Sequence, residues 1–327
     1  MSLNTQKIDA VLRDYDLTQA ENKRKTDLRR SEVYSRVPEI KEIDDSIAED
    51  SVNWLVSSLS DAEADISALQ QRTASRVKRK EELLAGAGYP ADYLDPVYTC
   101  SLCKDTGYIG NSRCSCFKKK IADILFAESN LKNAIPTENF STFNFAYFSD
   151  TVPKNRQMSP RDNIKKAVEK ARNFVHNFDS EFKNLLITGN TGTGKTFLCN
   201  CIAKELLDSG HSVVYQTEYE LFDALVAHAF SSNDQEARYK YECIADCDLL
   251  VIDDMGTGFN NSLTSTEFFR ILNERLLNHR STLISTNLHF EDIQNNYSER
   301  VLSRIIGSFD FIELYGADIR KLKKISN

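Results

Sequence analysis

The sequence predicts an α/β fold in its C-terminal half, with a five-stranded parallel sheet, preceded by an α-helical N-terminal region that carries a small cysteine knot. Three observations predict this. Five short apolar runs, at 185–188, 213–216, 249–252, 283–286 and 309–314, alternate with stretches long enough to be helices, the pattern of a parallel sheet wound by crossover helices. Residues 1–97 instead carry apolar stripes at helical spacing among many charges. Between these regions YTCSLCKDTGYIGNSRCSCF, at 98–117, gathers four cysteines in two close pairs.

The chain has 327 residues, long for one domain and comfortable for two. Its formal net charge of −7 excludes a protein that coats nucleic acid by bulk attraction. Contact with nucleic acid would need local basic patches. Lys118-Lys119-Lys120 and the tail with Arg320, Lys321, Lys323 and Lys324 are two such patches, and a solvated helix face or tail is the competing reading of each. No apolar run reaches membrane-spanning length. The start, MSLNTQKIDAVLRDYD, is polar and lacks a signal peptide's apolar region. The expected setting is therefore the reducing cytoplasm, where clustered cysteines are more often metal ligands than disulfides.

In chain order, residues 1–97 come first as a helical, partner-binding region. Ile8, Val11, Leu12 and Tyr15 share one helix face. Pro38 suits a first helical position, and Ile40, Ile43, Ile47 and Trp54 follow on one stripe. Ser60 with Glu63 has the form of a capping box ahead of Ile66, Leu69, Thr73, Val77 and Leu84, and Gly86 and Gly88 end that helix. Long antiparallel helices result, as a coiled-coil hairpin or a plain bundle. Nothing in them carries chemistry, so their use is contact.

Next, at 98–135, come the knot and a following helix. Cys100 and Cys103, then Cys114 and Cys116, form a C-x2-C and C-x-C pair. Four thiolates suit one structural Zn²⁺, each pair gripping one edge of a tetrahedron and leaving no open position for catalysis. Buried thiols without metal and a redox couple are the alternatives, and the redox couple lacks the βαβ context it needs. Cys199, Cys201, Cys243 and Cys247 are not clustered in this way and read as small apolar core residues.

Residues 136–159 read as an aromatic linker that straps onto the domain at 160–327. In that domain GNTGTGKT matches G-x-x-x-x-G-K-[ST] from Gly189 through Asn190, Thr191, Gly192, Thr193 and Gly194 to Lys195 and Thr196. It follows the apolar run LLIT and opens the helical stretch FLCNCIAKELL, the context a phosphate-binding loop requires. Backbone N–H groups would wrap phosphates of ATP, Lys195 would reach the β- and γ-phosphates, and Thr196 would ligate Mg²⁺. LLVIDD at 249–254 ends a strand in two carboxylates. Asp253 would hold Mg²⁺ through water and Asp254 would orient or deprotonate the attacking water. Asn287, ending the next strand, would bond the γ-phosphate or that water, and a plain turn residue is the competing reading. Arg300, Arg304 and Arg320 follow. An inserted arginine offsets charge built up in phosphoryl transfer. Arg304 suits a neighbouring subunit's nucleotide and Arg320 the chain's own, while a surface salt bridge competes for each.

Taken in order, GNTGTGKT, LLVIDDMG, ISTNL, ERVLSRI and GADIR resemble the AAA+ ATPases of the DnaC/DnaI helicase-loader type, to which the transposase-helper ATPases of the IstB type are related. Pro-Glu-Ile at 38–40, GYPADYLDPVYTCSLCKDTGYI at 88–109 and CSC at 114–116 extend the resemblance over nearly the whole chain. It implies strand order 5-1-4-3-2 and an ATP-dependent switch that places a replicative DNA helicase on single-stranded DNA. It also implies self-association through the ATPase interface, with the site roles assigned above. Two departures stand out. Asp254 replaces the commoner glutamate, which implies slow hydrolysis, and the short stretch after the fifth run leaves no room for a full helical lid. The choice between Arg300 and Arg304 stays open. Two other functions compete: a transposition helper of the IstB-like type, and a zinc-containing adaptor whose ATP site gates assembly without appreciable turnover.

Overall fold

A computed structural model describes residues 5–60, 66–110, 112–128, 134, 136–230, 234–258 and 261–326. The chain divides into two compact units, Leu12–Ser112 and Met1–Val11 with Arg113–Asn327. Helices α1 (Thr5–Arg36), α2 (Pro38–Ser60) and α3 (Ile66–Gly86) open the chain. In the smaller unit α2 and α3 run antiparallel, with Arg79 on Glu39, Lys80 on Asp44 and Arg76 on Asp50. Val33, Ile40, Leu84 and Leu94 form its apolar centre. Pro38 takes the first helical position, as its spacing predicts. Gly88, at φ +84°, follows the end of α3 and lets the Tyr89 N–H reach the Leu84 carbonyl. Ser60 closes α2 instead of opening the next helix, and Glu63, its expected partner, lies outside the described residues.

The cysteine segment contributes a two-stranded ribbon, β1 (Tyr108–Ile109) and β2 (Ser112–Arg113), and leads into α4 (Ser115–Glu128). In the larger unit follow α5 (Pro160–His176), β3 (Asn184–Gly189), α6 (Lys195–Asp208), β4 (Val213–Thr217) and α7 (Glu218–Phe230). Then come α8 (Gln235–Asp246), β5 (Leu249–Met255), α9 (Ser262–Leu277) and β6 (Ser281–Thr286). The last elements are α10 (Phe290–Asn296), α11 (Glu299–Ser308), β7 (Phe309–Leu314) and α12 (Ile319–Ser326).

The five apolar runs are the five strands of one parallel sheet, ordered β4-β5-β6-β3-β7. Read from the other edge this is the 5-1-4-3-2 order the resemblance implies. Side chains alternate across the pleat into two cores. Leu186, Val214, Leu250, Ile252 and Ile284 pack with α7, α8, α9 and α11 on one face. Leu185, Ile187, Val213, Val251 and Leu283 pack with α5 and α6 on the other. Helix α4 packs on β4 and α8, and its Ala122 joins the first core. Ser159 caps α5 by accepting from the Asp162 N–H, with Pro160 directly after it, which starts that helix at a defined point.

Candidate active site

The site forms where β3, β5 and β6 end, beside β7, at the point where the strand order reverses. Open α/β sheets place ligands at such crevices. The loop after β3 runs from Gly189 to the start of α6. A Cβ at Gly189 would come within 2.2 Å of the Leu314 carbonyl oxygen, and one at Gly192 within 2.0 Å of the Asp318 carboxylate. Both glycines have positive φ, so no other residue fits this close approach of strand end and tail. The Ile319 N–H donates to the Gly192 carbonyl at 2.9 Å, seating the start of α12 on the loop.

Lys195 is 6% exposed, and its ammonium donates to the Gly189 and Asn190 carbonyls at 2.8 and 3.1 Å. Burial pulls its pKa down, and the nearby Asp254 and Asp253 carboxylates oppose that shift. The Thr196 hydroxyl lies 3.3 Å from a carboxylate oxygen of Asp253, which also accepts from Ser285. A hydroxyl and a carboxylate this close, at a helix start, suit the coordination of Mg²⁺.

Two adjacent residues of a regular strand point to opposite faces. Here β5 carries a register shift between Ile252 and Met255 against β6, and Asp254 takes φ +54°. The bulge turns Asp254 into the cavity while Asp253 stays 7% exposed against Ser285. The Asp254 N–H donates to the Ser285 hydroxyl at 3.0 Å. Burial first, then the Asp253 charge, raises the Asp254 pKa, and Lys195 and Arg320 oppose the rise.

The cavity holds about 340 Å³, within the range of small-ligand sites. Thr191, Gly192, Gly194, Lys195, Thr196, Asp254, Asn287 and Arg320 line it. Gly189, Asn190, Thr193 and Asp253 are not among the lining residues, and Asn190 is exposed. Thr193 is buried and donates to the Asn190 carbonyl at 2.8 Å. Arg300 and Arg304 lie on α11, exposed and outside the lining, with the Arg304 guanidinium 5.9 Å from the Phe269 ring centroid.

The stretch read as a linker supplies the other wall. Glu138, Phe143, Asn144, Tyr147 and Phe148 line the cavity, with Phe143 and Phe148 nearly parallel and Phe143 edge-on to Phe197. Glu138 accepts from buried Asn200 of α6 at 2.6 Å, which fixes the wall to the helix. The aromatic run was the visible signal, but nothing in its spacing says that it faces a cavity. Ser285 was missed as well: a serine inside a strand carries no mark that it accepts from the Asp254 N–H and donates to the Asp253 carboxylate before it.

The four knot sulfurs of Cys100, Cys103, Cys114 and Cys116 lie within 4.8 Å of one another. Sulfurs about 3.8 Å apart are what a tetrahedral zinc with 2.3 Å bonds requires, so the cluster fits Zn²⁺. Asp105 supports the first pair by accepting from the Cys100 and Thr99 N–H groups at 2.6 and 2.9 Å. Of the two basic patches, Lys118 pairs with Asp246 and Lys119 donates to the Gly210 carbonyl, which spends both on the fold. The side chains of Lys323 and Lys324 lie outside the described residues. No described helix is long and apolar enough to cross a membrane.

Residues 161–326 match the family model described as IstB-like ATP binding protein. The chain is 30% identical over 139 residues to the replicative helicase loader DnaC of Escherichia coli (strain K12), covering 42% of this chain and 56% of that protein. It is 28% identical over 141 residues to the chromosomal replication initiator protein DnaA of Aquifex aeolicus (strain VF5), over 43% of this chain and 34% of that one. The chain thus matches about half or less of these relatives' length. The crystal structure of the DnaC helicase loader aligns with a TM-score of 0.46 at 23% identity, over 56% of this chain and 99% of that chain.

Proposed function

The chain belongs to the family of IstB-like ATP binding proteins, and from that premise we propose that it is an ATP-dependent loader of a replicative DNA helicase, acting in the cytoplasm. What carries the reading is a conjunction: Lys195, Thr196, Asp254, Asn287 and Arg320 converge on one cavity in a chain similar to the helicase loader DnaC. The loop N–H groups and Lys195 bind the phosphates of ATP. Thr196 and Asp253 would hold Mg²⁺, which would supply charge neutralisation when bound. Asp254 takes a proton from water as its oxygen attacks the γ-phosphorus, and the bond to the β-phosphate oxygen breaks to leave ADP. Asn287 orients that water, and Arg320 faces the developing charge. Its shorter reach than a glutamate makes Asp254 a slow base.

Arg304, exposed and outside its own cavity, acts on the nucleotide of a second copy, so activity follows self-association. Residues 1–97 grip the helicase. Leu17, Leu28 and Val52 are more than half exposed on α1 and α2, which suits a contact surface. The knot at 98–135 holds structural zinc, 136–159 walls the base end of the cavity, and 160–327 is the ATPase and single-stranded DNA contact. The family description favours a rival, the transposition helper, while the helical region and knot favour the loader.

A loading reaction tests the proposal. The full chain, a ring-shaped replicative helicase and circular single-stranded DNA are mixed with and without ATP. A loader leaves salt-resistant helicase on the circle only when chain and ATP are both present. Equal helicase retention without the chain, or capture of a transposase in its place, would refute it. ATP binding without any turnover would shift the reading to an adaptor.

A further inference from the structure

Glu218 opens α7 directly after β4 and is fully buried. A carboxylate in that position costs free energy unless its oxygens are hydrogen-bonded. Three uncharged donors meet it. One oxygen accepts from the Gly256 and Gly258 N–H groups at 3.0 and 2.6 Å, and the other accepts from the Tyr297 hydroxyl. The first two donors lie in the loop directly after Asp254, a loop whose Thr257 also lines the cavity. A Cβ at Gly258 would stand 2.9 Å from the Glu218 carboxylate, so the close approach depends on that glycine. A Cβ at Gly256, whose φ is +111°, would come within 2.6 Å of Leu288, the residue after Asn287. Tyr297 packs against Phe222 and Phe268 and precedes α11 by two residues. One buried carboxylate therefore ties together the loop that presents Asp254 and the start of the helix that bears Arg300 and Arg304.

We propose that Glu218 and Tyr297 are a pair of positioning residues that set the Asp254–Gly258 loop and hold it in register with the arginine helix. The inference rests on the ATPase reading above. Neither side chain touches the cavity, so the pair acts on turnover and not on nucleotide affinity. A methionine at 218 has no acceptor oxygen and removes all three bonds while keeping the length of the side chain; a glutamine would not, because its amide oxygen can serve the two N–H groups while its NH2 donates to the Tyr297 hydroxyl. A phenylalanine at 297 removes a single hydroxyl and leaves the ring in its apolar pocket.

The test uses the full chain, with Glu218→Met, Tyr297→Phe and the double variant. Backbone hydrogen exchange is read at residues 255–258, and steady-state turnover is measured alongside. Each single variant should speed exchange at Gly256 and Gly258 about tenfold and lower kcat about tenfold, with KM within about twofold. The double variant should be no worse than Glu218→Met alone, because that variant already removes the bond to Tyr297. Unchanged exchange at 255–258 in Tyr297→Phe overturns the proposal, as does a rise in KM with kcat unchanged. Should Glu218→Met fold poorly, Tyr297→Phe decides alone. A wild-type chain that neither binds nor hydrolyses ATP sinks the ATPase reading, while the exchange at 255–258 still reports whether the pair sets the loop.

Discussion

At the ends of β5 and β6, Asp253 is 7% exposed and is gripped by Ser285 and Thr196. Between α2 and α3, Arg79 and Glu39 meet with about half of each side chain in solvent, at 52% and 48% exposure. The cavity spends buried hydrogen bonds to hold charges where chemistry needs them, in a medium of low effective dielectric. The hairpin holds its charges loosely, where water and salt screen them. The cavity positions proposed to act on a nucleotide are held by several partners each; the positions that join the two helices are not. Substitutions should therefore have large, specific effects in the first region and small, diffuse ones in the second.

The largest effect is expected at Lys195. Lys195→Ala removes the ammonium proposed to reach the phosphates, and ATP affinity should fall by roughly 100-fold or more in a fluorescent-nucleotide titration. Retained tight binding would mean that the loop N–H groups suffice. Next comes Cys103→Ser, which opens the four-sulfur cluster. Elemental analysis should show zinc falling from about one per chain to near zero, while ATP affinity stays within about twofold of wild type. A full complement of zinc in the variant would show that three sulfurs hold it.

Arg304→Ala should keep ATP binding and lower turnover by roughly 100-fold or more. Mixing it with Lys195→Ala should restore part of the activity, since one interface then pairs an intact cavity with an intact arginine. No recovery at any ratio would argue for action within one chain, or for Arg300. The smallest effect is expected in the hairpin. Arg79→Ala should change stability to denaturant by less than about 1 kcal/mol, because the pair is half in water. A loss of several kcal/mol there would erase the contrast between the two regions.

Much of this was legible before any coordinates. GNTGTGKT carried its own context, a strand before and a helix after, because phosphate binding demands that local chain path. The five apolar runs fell on the five strands, since burial on both faces leaves continuous apolar stretches. Other features depend on tertiary contacts that no local pattern records. The bulge that turns Asp254 into the cavity arises from register against β6. The aromatic wall at 143–148 was visible as a composition bias, but its facing was not. Helix α4 gave no sign in its sequence that Ala122 joins the core beneath the sheet. Glu218 lacked any signal, because a glutamate at a helix start is ordinarily a solvated cap.

The cavity's claim to chemistry turns on Asp254. Burial first, then the Asp253 charge, raises its pKa from the ordinary aspartate value. A base works only when deprotonated, so turnover should be full at higher pH. It should fall as pH drops through that raised pKa, at a higher pH than an unperturbed aspartate would give. The direct measurement is the pH profile of ATP turnover by the full chain and by Asp254→Asn, with ATP affinity measured in parallel. The account predicts unchanged affinity in the variant, kcat lower by roughly 100-fold or more, and loss of the acid limb. Equal turnover in the two proteins, with the same acid limb, would contradict it and place the base on another residue.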